Sequence, residues 1–128
     1  MVKWDDYIKE IELPNKDKLE ILFEEQKKLM DRYNMPTIDI NTLHGQEVLR
    51  QVGMRLFEEI GEIFHCLKNK EWVENQTEVD KKAMFDEVAD VWHFFIEMMI
   101  LLKLTPEDCT KLYLAKNKVN HKRLDTKY

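Results

Sequence analysis

Asp86-Glu-Val-Ala-Asp90-Val-Trp-His-Phe-Phe95-Ile-Glu-Met-Met-Ile100-Leu-Leu102 contains no glycine or proline and is apolar on most sides of a helical wheel. At about 100° per residue, Asp86, Glu87, Asp90 and Glu97 fall within one arc of about 100°, and the remainder is almost wholly hydrophobic. The spacing predicts a helix from the capping-box-like Thr77-Glu-Val-Asp80 to about Lys103. A helix this apolar does not belong on the surface of a monomer. It should sit centrally, against its own chain on one side and a second subunit on the other, with the acidic arc facing a cleft.

Working outward, the punctuation is that of an all-α chain with four main helices. Pro14 and Asn15 precede a first periodic run (Leu19, Leu22, Phe23, Leu29, Met30, Tyr33), which Asn34-Met-Pro36 stops. Residues 35–42 read as a loop. A second helix should run from Thr42 to about Lys68, its apolar face made by Leu49, Val52, Leu56, Phe57, Ile60, Ile63, Phe64 and Leu67. A polar connection, Asn69 to Gln76, holds one large aromatic, Trp72. Thr105-Pro-Glu-Asp108 supplies a capping hydroxyl, a proline at the first helical position and first-turn acids, so a fourth helix follows to about Lys122. The tail to Tyr128 lacks periodicity.

Two acidic pairs stand out. Glu58-Glu59-Ile60-Gly61-Glu62 lies on the second helix and Asp86-Glu87-Val88-Ala89-Asp90 on the third. Residues three apart project from one face, so Glu59/Glu62 and Glu87/Asp90 would aim four carboxylates at one point if the helices pack antiparallel. On the wheel Glu59 sits at the rim of the apolar stripe, Glu62 further round and Glu58 nearest to solvent. An unpaired carboxylate at an apolar rim is costly, which argues for a cation beside Glu59. Hard oxygen ligands suit Mg²⁺, with Mn²⁺ as a substitute.

The composition bounds the rest. A chain of 128 residues, 44% hydrophobic, with three Gly and three Pro, fits one helix-rich domain spanning residues 1–128. A net charge of -5 argues against a general nucleic-acid binder. The charge is uneven, since Lys111, Lys116, Lys118, Lys122, Arg123 and Lys127 share the last stretch with a single acid, Asp125. Such a basic end suits an anionic ligand. Cys66 and Cys109 belong to no metal or redox spacing, which implies reduced thiols and a cytoplasmic setting. The greasiest run is broken by His93 and Glu97, so no membrane span is expected.

With these residues in view, Glu59-x-x-Glu62 followed by Glu87-x-x-Asp90 resembles the ExxE/ExxD signature of the all-α NTP pyrophosphohydrolases, which include MazG-like enzymes and dimeric dUTPases. Asp90-Val-Trp-His93-Phe94 is similar to the dUTPase branch. So is Tyr113-Leu-Ala-Lys116-Asn117-Lys-Val-Asn120-His-Lys-Arg123 with the final Tyr128, although the chain ends Asp125-Thr-Lys-Tyr128 and not in Gly-Tyr. The resemblance covers roughly residues 43–128.

It implies a bundle-like fold assembled as a homodimer, or a tetramer, that hydrolyses a deoxynucleoside triphosphate, with dUTP leading, to the monophosphate and pyrophosphate. Glu59, Glu62, Glu87 and Asp90 would hold Mg²⁺, with Glu59 also the base that orients water. Lys116, Arg123 and Tyr128 would contact phosphate. Gln26, Trp72, Phe94 and Asn120 would bind base and sugar. A dCTPase and a broad MazG-like enzyme are the near alternatives. Further off stand a di-iron carboxylate bundle, suggested by Glu62-x-x-His65 and Asp90-x-x-His93, and a helical dimerisation module without catalysis.

Overall fold

A computed structural model describes residues 3–68 and 78–126, and among them there are helices and no strands. In chain order the helices are α1 (Trp4–Ile8), α2 (Lys18–Arg32), α3 (Leu43–His65), α4 (Lys81–Leu101) and α5 (Pro106–Asp125). The expected four are present as α2 to α5, and α1 is an addition. α5 runs three residues further than expected, to Asp125.

Side-chain caps explain most of the boundaries. The Asp17 carboxylate accepts from the Glu20 amide at 3.0 Å, and the Thr42 hydroxyl from the Gly45 amide at 3.0 Å. The start of α4 corrects the sequence reading. Its cap is Asp80, which accepts from the Ala83 amide at 3.1 Å, whereas Thr77 lies outside the described residues. At α5 the expected box is present, with the Thr105 hydroxyl accepting from the Asp108 amide and the Asp108 carboxylate accepting from the Thr105 amide.

Two helices end in the same way without glycine. After α2, Asn34 turns left-handed (φ 57) and the Met35 amide donates back to the Met30 carbonyl; after α4, Lys103 does so (φ 61) and the Leu104 amide donates to the Met99 carbonyl. Both are Schellman closures, which satisfy carbonyls that the helix leaves free.

α3 and α4 form the principal pair, α2 packs on α4, and α5 rests on α2. Gly53 lies beside Met98, while Glu59, six residues later, meets Glu87 and Asp90, so α3 and α4 run antiparallel. Met30, Ile38, Val52 and Leu101 make the buried core cluster, with Val48, Phe94 and Met98 against it. Each such side chain contributes about 1.5–3 kcal/mol through burial. Ile38, from the connection after α2, closes one end of the cluster. Gly45 lets that connection approach α3, because a methyl there would overlap the Asp39 carbonyl oxygen.

Part of the expected apolar face of α3 is not core. Phe57 is 69% exposed and Phe64 61%, because α4 is the one helix that packs extensively on α3 and it covers only the Val52 side. No helix among the described residues is long and apolar enough to cross a membrane.

Candidate metal centre

The antiparallel pairing of α3 and α4 brings Glu59, Glu87 and Asp90 together. One carboxylate oxygen from each lies within 4.8 Å of the others, and all three side chains are half-buried. Three negative charges at that separation repel by about 1 kcal/mol per pair in bulk water and by about 3 kcal/mol near a protein surface. A proton or a cation in the cluster relieves this repulsion.

Without a cation the proton goes to Glu59. Its hydrogen bond to Glu87 raises its pKa first, since two carboxyl groups can bond only through a shared proton. Burial and the charges of Asp90, Glu87 and Glu62 add to this, and the pKa is pushed up from 4.5 to about 7. Asp90 is also raised, chiefly by burial, then by Asp86 and Glu87, with His93 opposing.

The donor set fits a hard divalent cation. Octahedral Mg²⁺ holds oxygens at about 2.0–2.1 Å, so ligands on opposite sides lie about 4 Å apart. Small side-chain adjustments bring this triad into that range, and the oxygens offered are the type such an ion prefers.

Glu62, the fourth expected ligand, stands apart. It is one turn from Glu59 but exposed, with its carboxylate 3.7 Å from His65 Nδ1, and it acts on the triad through its charge. The histidines do not join either: His93 Nδ1 donates to its own Ala89 carbonyl at 2.7 Å. Among the described residues, no histidine belongs to the cluster of possible ligands, whereas a di-iron arrangement needs a Glu-x-x-His pair aimed at the site.

The remaining expected residues are dispersed. Lys116, Asn120 and Arg123 are exposed along α5, and among the described residues no hydrogen bond or ion pair joins them to the triad. Phe94 packs against the core cluster. Trp72 and Tyr128 lie outside the described residues. Gln26, by contrast, is 5% exposed and lines a small groove of about 110 Å³ with Leu22, Glu25, Trp92, His93 and Ile96. Pockets for drug-sized ligands measure about 300 Å³ or more, so this groove suits one ring at most.

Three residues gain interest that the sequence did not assign to them. Trp92 and His93 face Gln26 across the groove, and their position just after Asp90 was the available signal. Glu97, one turn beyond His93, is 5% exposed, and burial raises its pKa against the opposing charges of Arg55 and His93. Its place in the acidic arc predicted a cleft, not burial.

Compared with known proteins, the chain matches no protein-family model, no curated protein and no solved structure.

Proposed function

We propose that this chain is a Mg²⁺-dependent nucleoside triphosphate pyrophosphohydrolase of the all-α, MazG-like kind, assembled as a homodimer, with dUTP as its leading substrate. The observation that carries this reading is the convergence of Glu59, Glu87 and Asp90 from two antiparallel helices, at the positions of the ExxE/ExxD signature. When bound, Mg²⁺ would neutralise the charge of the triphosphate and polarise the phosphoryl group under attack.

The residues have separable roles. Glu87 and Asp90 would hold the cation, with Glu62 adding its charge nearby. Glu59, ionised once a cation offsets the charges that raise its pKa in the bare cluster, would orient a water molecule and take its proton. The water oxygen forms a bond to phosphorus, and the bridge between the α and β phosphates breaks, leaving the nucleoside monophosphate and pyrophosphate. Lys116 and Arg123 neutralise phosphate oxygens from α5, and Arg123 has the fork geometry for bidentate contact. Gln26 and His93 offer hydrogen-bonding edges to a pyrimidine ring beside Trp92, which favours a selective enzyme over a broad one.

The test is pyrophosphate release from the four deoxynucleoside triphosphates, dUTP and their ribose counterparts, with Mg²⁺ and with EDTA, beside Asp90→Ala. Turnover of dUTP that needs Mg²⁺ and is lost in Asp90→Ala is expected. Preference for dCTP, or turnover of every nucleotide, moves the assignment to the neighbouring branches. Failure to cleave any of them sinks the enzymatic reading.

A further inference from the structure

The core opens to solvent at the end away from the acidic triad. Met30, Ile38 and Leu101, which belong to the buried core cluster, form the floor of a pocket of about 250 Å³, and the half-buried Met35 and Ile100 wall it. Leu101 stands eleven residues past Asp90 on α4, about 16 Å along the helix, so this pocket is separate from the candidate metal centre. Protein interiors leave few voids larger than a water molecule, and an opening of this size presents core side chains to an incoming apolar group.

The rim of the pocket is polar and its charge is unbalanced. Lys27, Lys103, Asp31 and Thr37 line it, all of them exposed. Among the described residues neither lysine belongs to an ion pair, nor does Asp31, so two ammonium groups stand there against one carboxylate. Lys103 is also the residue that closes α4 in the left-handed conformation, at φ 61, where glycine is the unstrained choice. A strained lysine at the rim of a pocket points to a use for its ammonium. The volume bounds the ligand. A cavity of about 150 Å³ holds benzene, so one of about 250 Å³ takes a ring with a short arm, roughly ten non-hydrogen atoms. A whole nucleotide exceeds that size.

We propose that this pocket binds a small organic monocarboxylate with a ring-sized apolar body, the ring lying on Met30, Ile38 and Leu101 and the carboxylate meeting Lys27 and Lys103. One carboxylate neutralises the surplus positive charge of the rim, and each ammonium can donate a charge-assisted hydrogen bond to it. An organic cation of the same shape would find Asp31 alone against two like charges. The Thr37 hydroxyl stands at the same rim as a further donor. The site needs no metal and stands whether or not the chain hydrolyses nucleotides.

The test is a titration of the metal-free full chain with hydrocinnamate, followed by the methyl resonances of methionine, isoleucine and leucine in NMR spectra. Saturable shifts at Ile38, Ile100 and Leu101 are expected, with a Kd of about 1 mM for a ligand of this size. Hydrocinnamamide has the same shape without the charge and should bind about tenfold more weakly; phenethylammonium should bind more weakly still. Lys27→Gln and Lys103→Gln should each weaken hydrocinnamate about threefold, since exposed ion pairs are individually modest, and leave the amide unchanged. Both positions are exposed, so the variants should keep the wild-type fold, which circular dichroism checks. Absence of saturable shifts at those methyls up to about 20 mM overturns the proposal. Equal affinity for the acid and the amide, or an acid affinity that withstands both lysine substitutions together, overturns it as well.

Discussion

Glu59→Gln removes one negative charge from the triad with little change of shape, and it should stabilise the metal-free protein at alkaline pH while abolishing turnover. In the folded chain the Glu59 pKa rises from 4.5 to about 7, through its hydrogen bond to Glu87, then burial, then the charges of Asp90, Glu87 and Glu62. Between those values the folded chain keeps a proton that the unfolded chain has released. Stability is therefore complete below about 4.5 and is lost as pH rises through about 7. At 1.36 kcal/mol per pH unit the full loss would be about 3 kcal/mol. Glu59 is only half-buried, and solvent screening reduces this to about 1–2 kcal/mol. Gln cannot ionise and escapes the loss. Urea denaturation in EDTA, followed by circular dichroism, should find Glu59→Gln about 1–2 kcal/mol more stable than wild type near pH 8 and nearly equal to it near pH 4. A variant less stable at both pH values, or more stable by the same amount at both, would refute the charge cluster as the cause.

Mg²⁺ must displace the Glu59 proton, so its half-saturating concentration, read by thermal shift, should rise about tenfold for each pH unit below about 7 and stay level above it. Gly45→Ala should cost about 3 kcal/mol or more in urea denaturation, because its methyl would meet the Asp39 carbonyl. Gly61→Ala meets nothing within 4 Å and should gain about 1 kcal/mol from helix propensity alone, so a loss there would show that an unseen contact governs the site. Lys103→Gly should raise the melting temperature by a few degrees, since glycine adopts the left-handed closure of α4 without the roughly 1 kcal/mol strain of a lysine; an unchanged or lower value would mean that the lysine stem contributes packing of equal size.

The elements that sequence alone reveals here are those written in local chemistry. Thr42 and Thr105 mark helix starts through hydroxyl caps, Asn34-Met-Pro36 marks a stop, and the rim position of Glu59 foretells its contact with α4. What escaped depends on distant partners. α1 is held by Lys82 and cannot be inferred from Trp4-Asp-Asp-Tyr-Ile itself. Phe57 and Phe64 belong to a stripe wider than one neighbouring helix can cover, so periodicity assigned them to a core that ends at Val52. Glu62 follows Glu59 by three residues but sits about 60° round the helix, enough to turn its carboxylate toward His65 and water. Gln26 came from the resemblance, and its burial follows from the spacing Phe23, Gln26, Met30, which places an amide in the middle of the face that α2 turns inward.

The docking of α1 also bears on the order of folding. The Trp4 indole donates to the Lys82 carbonyl at 3.1 Å, and Asp5 pairs with the Lys82 ammonium, so the contact joins residues 78 apart in sequence. Closing so long a loop is entropically slow, whereas α3 and α4 are neighbours in the chain and can pair early. α1 should therefore attach last on refolding and detach first on unfolding. Amide hydrogens of the first turn of α4, next to Glu87, would then exchange sooner than those near Ile96 at its centre.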